Sequence, residues 1–221
     1  MFCAENYMQQ LINSLTECFG TRLVYVGLQG SYMRGEATDR SDIDPMIVIS
    51  GLSVSDLNCY RKIIHSLPDP EKSCGFICGK EELANWNPLE ICHLRHSTKD
   101  LYGKLSDLVP AYTKDDVRSF AKLSVNNLYH EICHRYLHAP AEKNAAKIAG
   151  SFKSVFFILQ NVHYLDTGVF ASTRTELLKL VTGDDRKILT TAVQLSMGAS
   201  FTFDTLFAQL YGWCKGVMLR L

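Results

Sequence analysis

The stretch of residues 23–50, LVYVGLQGSYMRGEATDRSDIDPMIVIS, decides the fold of this chain. Its two apolar runs, 23–28 and 46–49, are rich in the β-branched residues that suit buried strands. Between the runs, the Gly30-Ser31 pair predicts a turn at the end of a strand that opens a short helix. Backbone N–H groups and a hydroxyl at such a turn are suited to binding a phosphate.

Two aspartates, Asp42 and Asp44, precede the second apolar run. Because side chains at i and i+2 of a strand point to the same face, these carboxylates are expected to share a hard divalent cation. A phosphate-binding turn together with a carboxylate pair is what metal-assisted phosphoryl or nucleotidyl transfer requires. The alternative is a surface turn beside a solvated acidic cluster, which leaves the joint occurrence of the two motifs unexplained.

The spacing of the Gly-Ser pair, ten residues and the Asp-Ile-Asp triplet resembles the pattern of the polymerase-β-type nucleotidyltransferase superfamily. Its small members include the aminoglycoside and lincosamide nucleotidyltransferases. The resemblance implies that Asp42 and Asp44 bind Mg²⁺, and that Gly30 and Ser31 hold the outer phosphates of ATP or another NTP. Arg34 lies near enough in sequence to add a positive contact to those phosphates, and Arg40 is a second such candidate.

The superfamily usually has a third carboxylate on a neighbouring strand, where it serves as a metal ligand or as the base for the acceptor hydroxyl. The predicted third strand reads CGFICG (74–79), and the expected slot holds Gly75 or Phe76. Glu90 is the best substitute, because the LEIC segment (89–92), whose pattern fits either a strand or the start of a helix, could lie beside the first two strands. Further candidates are Glu71, Glu81 and Glu82.

In the kanamycin-type enzymes the helical bundle also contributes a glutamate base and a lysine that reaches the nucleotide phosphates. Glu142 and Lys147 lie at about the corresponding positions of this chain, and Lys153 follows further along the same predicted helix. A solvated lysine on a helix surface is the alternative interpretation of both lysines.

Hydrophobic spacing and caps predict an α+β fold, in which a small mixed β-sheet domain with flanking helices (1–110) precedes an all-α helical bundle domain (111–221). The boundary is placed near Pro110, because no strand pattern follows residue 109. Pro45 is expected to face a sheet edge or a bulge, since it has no N–H to donate. Helices are predicted over these segments: 2–19, 53–67, 80–86, 97–109, 114–137, 141–165, 174–181, 186–195 and 203–219.

The composition is that of an ordinary globular protein, with 47% apolar and 21% charged residues. Lys plus Arg equals Asp plus Glu at 23 each, which argues against a polynucleotide or an anionic membrane as partner. The N-terminus lacks the basic and apolar regions of a signal peptide, so a cytoplasmic location is expected.

The sequence also contains two motifs that predict alternative metal sites. His130-Glu131-Ile132-Cys133-His134 matches the H-E-x-x-H pattern of zinc proteases, but His138, one turn further, lies too far along a straight helix to complete the site. The second is a zinc-knuckle-like spacing of Cys74, Cys78, Cys92 and His96, for which buried core cysteines are the preferred alternative.

The sequence therefore predicts an enzyme that transfers an NMP group, AMP from ATP, onto a hydroxyl of a small molecule and releases pyrophosphate. The resemblance favours an aminoglycoside- or lincosamide-type antibiotic as the acceptor, which would make antibiotic resistance the biological outcome. Two alternatives remain open: a catalytically impaired nucleotide-binding or protein-interaction module of the same fold, and adenylylation of a protein partner. Kanamycin-type relatives build their sites across a homodimer, so the resemblance leaves a homodimer open.

Overall fold

The structure, a computed structural model, describes residues 2–221, except the side chains of residues 141–143, 145 and 146. The chain divides into two compact units, with the division between Tyr112 and Thr113. The first unit contains a small mixed sheet with flanking helices and the second is all-α, so the predicted fold class is confirmed.

The first unit is built on a four-stranded sheet in the order β3-β2-β1-β4. The strands are β1 (Leu23–Gln29), β2 (Asp44–Ile49), β3 (Phe76–Gly79) and β4 (Lys99–Tyr102). β1 pairs antiparallel with β2 and with β4, whereas β3 pairs parallel with β2. The two central strands therefore come from the stretch that was predicted to organise the fold.

Helices cover both faces of this sheet. The helices of the unit are α1 (Ala4–Phe19), α2 (Gly30–Arg34), α3 (Val54–Ser66), α4 (Lys80–Ala84) and α5 (Pro88–His96). On one face, α1 and α3 pack against Val26, Ile47 and Ile49 of the central strands. On the other face, Met46 and Val48 form a smaller core with residues of β3 and α4.

The helix predicted over residues 97–109 is wrong. This segment forms β4 and a short 3₁₀ turn, Leu105–Asp107. Leu101, Leu105 and Leu108 have helical spacing, but Gly103 adopts a left-handed φ of 74°, which ends the strand and prevents a continuous helix. The pairing of β4 with β1 then outweighs the local helical pattern.

The expectation that Pro45 faces an edge or a bulge is also wrong, because the residue lies inside β2, a strand paired on both sides. The regular β2–β3 pairing starts only at Met46 and Phe76, one residue beyond the proline. Gly75 allows the close approach of the two strands beside this gap in the pairing, because a Cβ atom there would lie 2.3 Å from the Pro45 carbonyl oxygen. Because a glycine lies opposite it, Pro45 can be accommodated inside the sheet and not at an edge.

The second unit contains six helices and, within residues 113–221, no strand. These are α6 (Lys114–His138), α7 (Ala141–Ser151), α8 (Lys153–Thr167), α9 (Arg174–Leu180), α10 (Gly183–Ser196) and α11 (Phe203–Arg220). The predicted helix 141–165 is two helices, since the poor helix formers Gly150 and Ser151 precede a break at Phe152. Across residues 2–221, no helix combines the length and the apolar character needed to span a bilayer.

Candidate functional site

The Gly-Ser turn lies directly against the second aspartate. Gln29, the last residue of β1, is paired with Asp44, the first residue of β2, so the turn begins beside the carboxylate. Gly30 has a φ of 68°, and a Cβ atom there would lie 1.8 Å from Asp44 Oδ2. Only glycine meets both requirements at this position, since a side chain would be strained by the backbone and would overlap the carboxylate.

Asp42 and Asp44 flank a buried residue and turn to the opposite face. Ile43 is fully buried and forms a parallel bridge with Ser73, so its neighbours on either side point away from that core. The pKa of Asp44 is raised above its ordinary value, first by burial and then by the negative charge of Asp42, while Arg34 opposes the shift. The two carboxylates are therefore close enough to repel each other.

The donor chemistry of this pair fits a hard divalent cation. Two neighbouring carboxylates lose their mutual repulsion when a cation binds between them, and Mg²⁺ is commonly held by one or two carboxylates with water and phosphate completing its shell. Among the described residues, no group of three His, Cys, Asp or Glu side chains could hold a metal ion.

Arg34 and Ser31 lie on α2, the short helix that follows the turn. The Arg34 side chain is only 10% exposed, and its Nε donates a hydrogen bond to Glu36 Oε2 at 3.0 Å. Its positive charge also opposes the rise in the pKa of Asp44, so the guanidinium and the carboxylate interact electrostatically. Arg40 lies outside α2, in an exposed turn.

The structure places Glu90 on a helix, which is one of the two alternatives open for residues 89–92, so Glu90 does not lie on a strand beside the first two. Asn87 caps the first turn of α5 and Pro88 occupies its first position, which favours helix over strand. Glu90 Oε2 accepts a hydrogen bond from Trp86 Nε1 at 2.6 Å. Neither Glu90 nor the further candidates Glu71, Glu81 and Glu82 form a described metal-binding group with the aspartates.

The sequence interpretation missed the position of Cys74 level with Asp44. Ile43 pairs with Ser73 and Met46 pairs with Phe76, so the same register puts Cys74, and not Gly75 or Phe76, level with Asp44. By strand alternation its side chain points to the face that carries Asp44, and the cysteine is exposed. Only the register reveals this position, because the spacing in sequence does not specify which residues of two strands are opposite each other.

The lysines predicted from the resemblance lie in the second unit. Lys147 is exposed on α7, and Lys153 is exposed at the first position of α8. Lys153 lines a cavity of about 260 Å³ together with Arg174. The side chain of Glu142 lies outside the described residues, and the roles of these residues stay predictions.

The two alternative zinc motifs do not form metal centres within the described residues. Glu131, the base of the H-E-x-x-H pattern, instead forms an ion pair with Arg135 at 2.9 Å and accepts a hydrogen bond from Ser151 Oγ at 3.0 Å. Of the four knuckle-like residues, Cys78 and Cys92 are buried, whereas Cys74 is exposed. Burial raises the pKa of the Cys78 thiol to about 12, as expected for a core cysteine.

Comparisons with known proteins identify the fold. No family model matches this chain, and no curated protein matches its sequence. Among solved structures, it resembles the spectinomycin adenyltransferase AAD(9) from Enterococcus faecialis, determined with ATP and spectinomycin. The TM-score is 0.58 at 15% identity, over 96% of this chain and 99% of that one. This chain therefore has a nucleotidyltransferase-like fold, an α+β domain followed by a helical domain.

Proposed function

We propose that this chain is a nucleotidyltransferase that moves an NMP group, AMP from ATP, onto a hydroxyl of a small molecule. The observation that carries the proposal is the contact between Gly30 and Asp44, which joins a phosphate-binding type of turn to a carboxylate pair. Either feature alone is common, but nucleotidyl transfer needs both within the reach of one triphosphate. The fold shared with an adenyltransferase supports this proposal independently.

Asp42 and Asp44 are the residues that would hold Mg²⁺. When bound, Mg²⁺ neutralises negative charge on the triphosphate and on the departing pyrophosphate. The raised pKa of Asp44 supports this role, because its carboxylate is held beside a like charge in a half-buried position. A cation relieves that unfavourable state.

The turn and α2 would hold the nucleotide in place. The Ser31 hydroxyl and the backbone N–H groups of the turn are donors suited to the outer phosphate oxygens. Arg34 would add positive charge near the phosphates, and its hydrogen bond to Glu36 fixes the guanidinium instead of leaving it to move freely. Such contacts would orient the α-phosphorus towards an incoming hydroxyl, which is how binding geometry lowers the barrier of such a reaction.

For the acceptor, we propose a polyhydroxylated small molecule of the aminoglycoside or lincosamide type. The solved neighbour was determined with spectinomycin, a small-molecule acceptor candidate for this chain as well. Modification of such an antibiotic would confer resistance. Adenylylation of a protein hydroxyl is the same chemistry with a larger acceptor and belongs in the same panel of substrates.

The test is release of pyrophosphate from ATP and Mg²⁺ in the presence of a panel of hydroxyl acceptors. Wild-type protein is expected to release pyrophosphate with at least one acceptor, and the product should carry the mass of an added AMP. The double variant Asp42→Asn/Asp44→Asn should lose both Mg²⁺-dependent nucleotide binding and transfer. ATP binding that is absent in the wild type, or is unchanged in the double variant, would contradict the proposal.

A second candidate function is a nucleotide-binding module without transferase activity. The specific observation in its favour is Cys74, a thiol at the strand position level with Asp44, in place of a carboxylate that could act as a base. This candidate predicts Mg²⁺-dependent ATP binding with no pyrophosphate release for any acceptor. The same titration and assay therefore distinguish the two functions.

A further inference from the structure

Two thiols meet where α1 packs against α3 in the first unit. Cys18 lies near the end of α1, and Cys59 lies in the middle of α3. The Cys18 thiol forms a hydrogen bond with the Cys59 side chain. Because the two residues are far apart in sequence, this contact is a product of the packing of the two helices and not of a local turn.

An ion pair beside the thiols holds the two elements together. The Arg22 guanidinium, four residues after Cys18, donates hydrogen bonds to both carboxylate oxygens of Asp56, at 2.7 and 2.9 Å. Asp56 lies three residues before Cys59 and belongs to the capping box of α3. A bidentate contact of this kind fixes both the spacing and the orientation of its partners. The two cysteines, about one helical turn away, are therefore kept within reach of each other.

The pair is open to a small reagent from the side of Cys18. Cys18 is exposed and lines an open groove between α1 and α3, whereas Cys59 is half-buried and packs against the core on that face of the sheet. A reagent would therefore meet Cys18 first, with Cys59 as the adjacent nucleophile. In the helical unit, Cys133 also neighbours a second thiol, Cys214, but Cys214 is buried and lacks this access.

We propose that Cys18 and Cys59 are a dithiol modification site, which hydrogen peroxide converts into a reversible disulfide. The Cys18 sulfur attacks one peroxide oxygen, so an S–O bond forms, the O–O bond breaks, and the other oxygen leaves as water with the thiol proton. The Cys59 sulfur then attacks the Cys18 sulfur, so the S–S bond forms, the S–O bond breaks, and a second water leaves. The two thiols together lose two electrons and two protons, and the peroxide is reduced to water.

The surroundings of Cys18 set the rate of the first step. The pKa of its thiol is raised, first by partial burial and then by Cys59, with Asp56 adding to the rise and Arg22 opposing it. Because the thiolate is the nucleophile, the first step is slow at neutral pH and faster in alkali. The second step needs no encounter by diffusion, since Cys59 already contacts Cys18, so the sulfenic acid is captured before further oxidation.

This inference does not rest on the proposed transferase activity, because neither cysteine belongs to the Gly-Ser turn or to the aspartate pair. The test treats the dilute protein with a slight excess of hydrogen peroxide at alkaline pH and then alkylates the remaining thiols. The product should carry two fewer labels than the untreated chain, which has eight cysteines. Peptide mapping by mass spectrometry should find residues 18 and 59 linked within one chain, and dithiothreitol should restore both labels.

Three variants locate the reaction. Cys18→Ser should abolish the disulfide and leave Cys59 available for alkylation. In Cys59→Ser the sulfenic acid lacks its adjacent thiol, so Cys18 should be driven to the sulfinic acid by excess peroxide. Cys3→Ser is the matched control, since Cys3 is an exposed cysteine at the start of the same helix, and this variant should form the disulfide as the wild type does.

Far-UV circular dichroism checks that each variant is folded. The proposal is overturned if peroxide oxidises Cys18 of the wild type to the sulfinic acid without a link to Cys59. It is also overturned if peroxide links only other cysteines, or only cysteines of different chains.

Discussion

Gly30 and Asp44 approach so closely that one added methyl group at position 30 would overlap the carboxylate, with Cβ 1.8 Å from Oδ2. The contact links the end of β1 to the beginning of β2, and it explains why the two motifs are found together. A substitution on one side of this contact must therefore move the other side.

The first prediction concerns Gly30→Ala. The variant should bind ATP with Mg²⁺ at least tenfold more weakly than the wild type, because the new Cβ displaces the Asp44 carboxylate from its position. Gly35→Ala is a close control: Gly35 has the same φ of 68°, yet a Cβ there meets nothing within 4 Å. That control should cost about 1–2 kcal/mol of stability for the left-handed backbone and retain ATP affinity. Equal loss of affinity in both variants would contradict the role of the contact.

The second prediction concerns the stability of the metal-free protein. Because the pKa of Asp44 is raised, the folded state binds this proton more tightly than the unfolded chain, so stability falls as pH rises above the ordinary carboxyl value of 3.8. Asp44→Asn removes this unfavourable charge and should raise the unfolding temperature at pH 7 in the presence of EDTA. The difference should vanish below pH 3.8, where the wild-type carboxyl is protonated in both states.

Thermal unfolding of wild type and variant over this pH range provides the measurement. Asp42→Asn should have a smaller effect in the same direction, since the charge of Asp42 is the second cause of the shift and burial is the first. If Asp44→Asn were less stable than the wild type at pH 7 without metal, the negative charge of Asp44 would already be balanced by other groups of the protein.

The third prediction concerns Cys74, the residue level with Asp44 on the neighbouring strand. It rests on the proposed transferase function. Cys74→Glu puts a carboxylate where a general base or third metal ligand could act, and general bases typically contribute about 10²–10⁴-fold to a rate. The variant should raise kcat for pyrophosphate release tenfold or more, with KM for ATP changed far less.

Cys74→Ser is the control, because it alters the thiol without introducing a carboxylate. It should leave kcat within about twofold of the wild type if the thiol takes no part in proton transfer. A Cys74→Glu variant no faster than Cys74→Ser would mean that position 74 does not reach the reacting atoms.

The fourth prediction concerns the buried carboxylate that anchors α3. Asp56 accepts two hydrogen bonds from the Arg22 guanidinium, at 2.7 and 2.9 Å, and completes the capping box with Ser53. These contacts hold the pKa of Asp56 well below its ordinary value of 3.8. Its contribution to stability is therefore present above pH 3.8 and lost as pH falls towards the lowered value.

Asp56→Asn should lower the unfolding temperature at pH 7, and the gap to the wild type should narrow in acid. Asp166→Asn, at an exposed carboxylate of α8, is expected to leave the unfolding temperature nearly unchanged at both pH values. Differential scanning calorimetry across the pH range makes the comparison. A gap that stays constant with pH would mean that the loss comes from packing and not from charge.

Local patterns predicted the parts of the fold that depend on neighbouring residues. The apolar runs of β1 and β2 and the helices predicted over 53–67 and 114–137 are correct, because each is set within a few residues and the two helices are capped locally by Ser53 and Thr113. β4 was missed because its apolar residues have helical spacing, and only pairing with β1 makes it a strand. The same limit applies to Cys74, whose position level with Asp44 depends on the register between two strands.

The pairing of β1 with β4 has a consequence for the order of folding. Tyr25 donates a hydrogen bond to Asp100 across a separation of 75 residues, whereas β1 and β2 are close in sequence and can form a hairpin early. Closing so long a loop is slow relative to local pairing, so β4 should join the sheet late. Until it does, the outer edge of β1 is open to pairing with another chain. During synthesis, the nascent protein is therefore most prone to aggregate before residue 102 has left the ribosome.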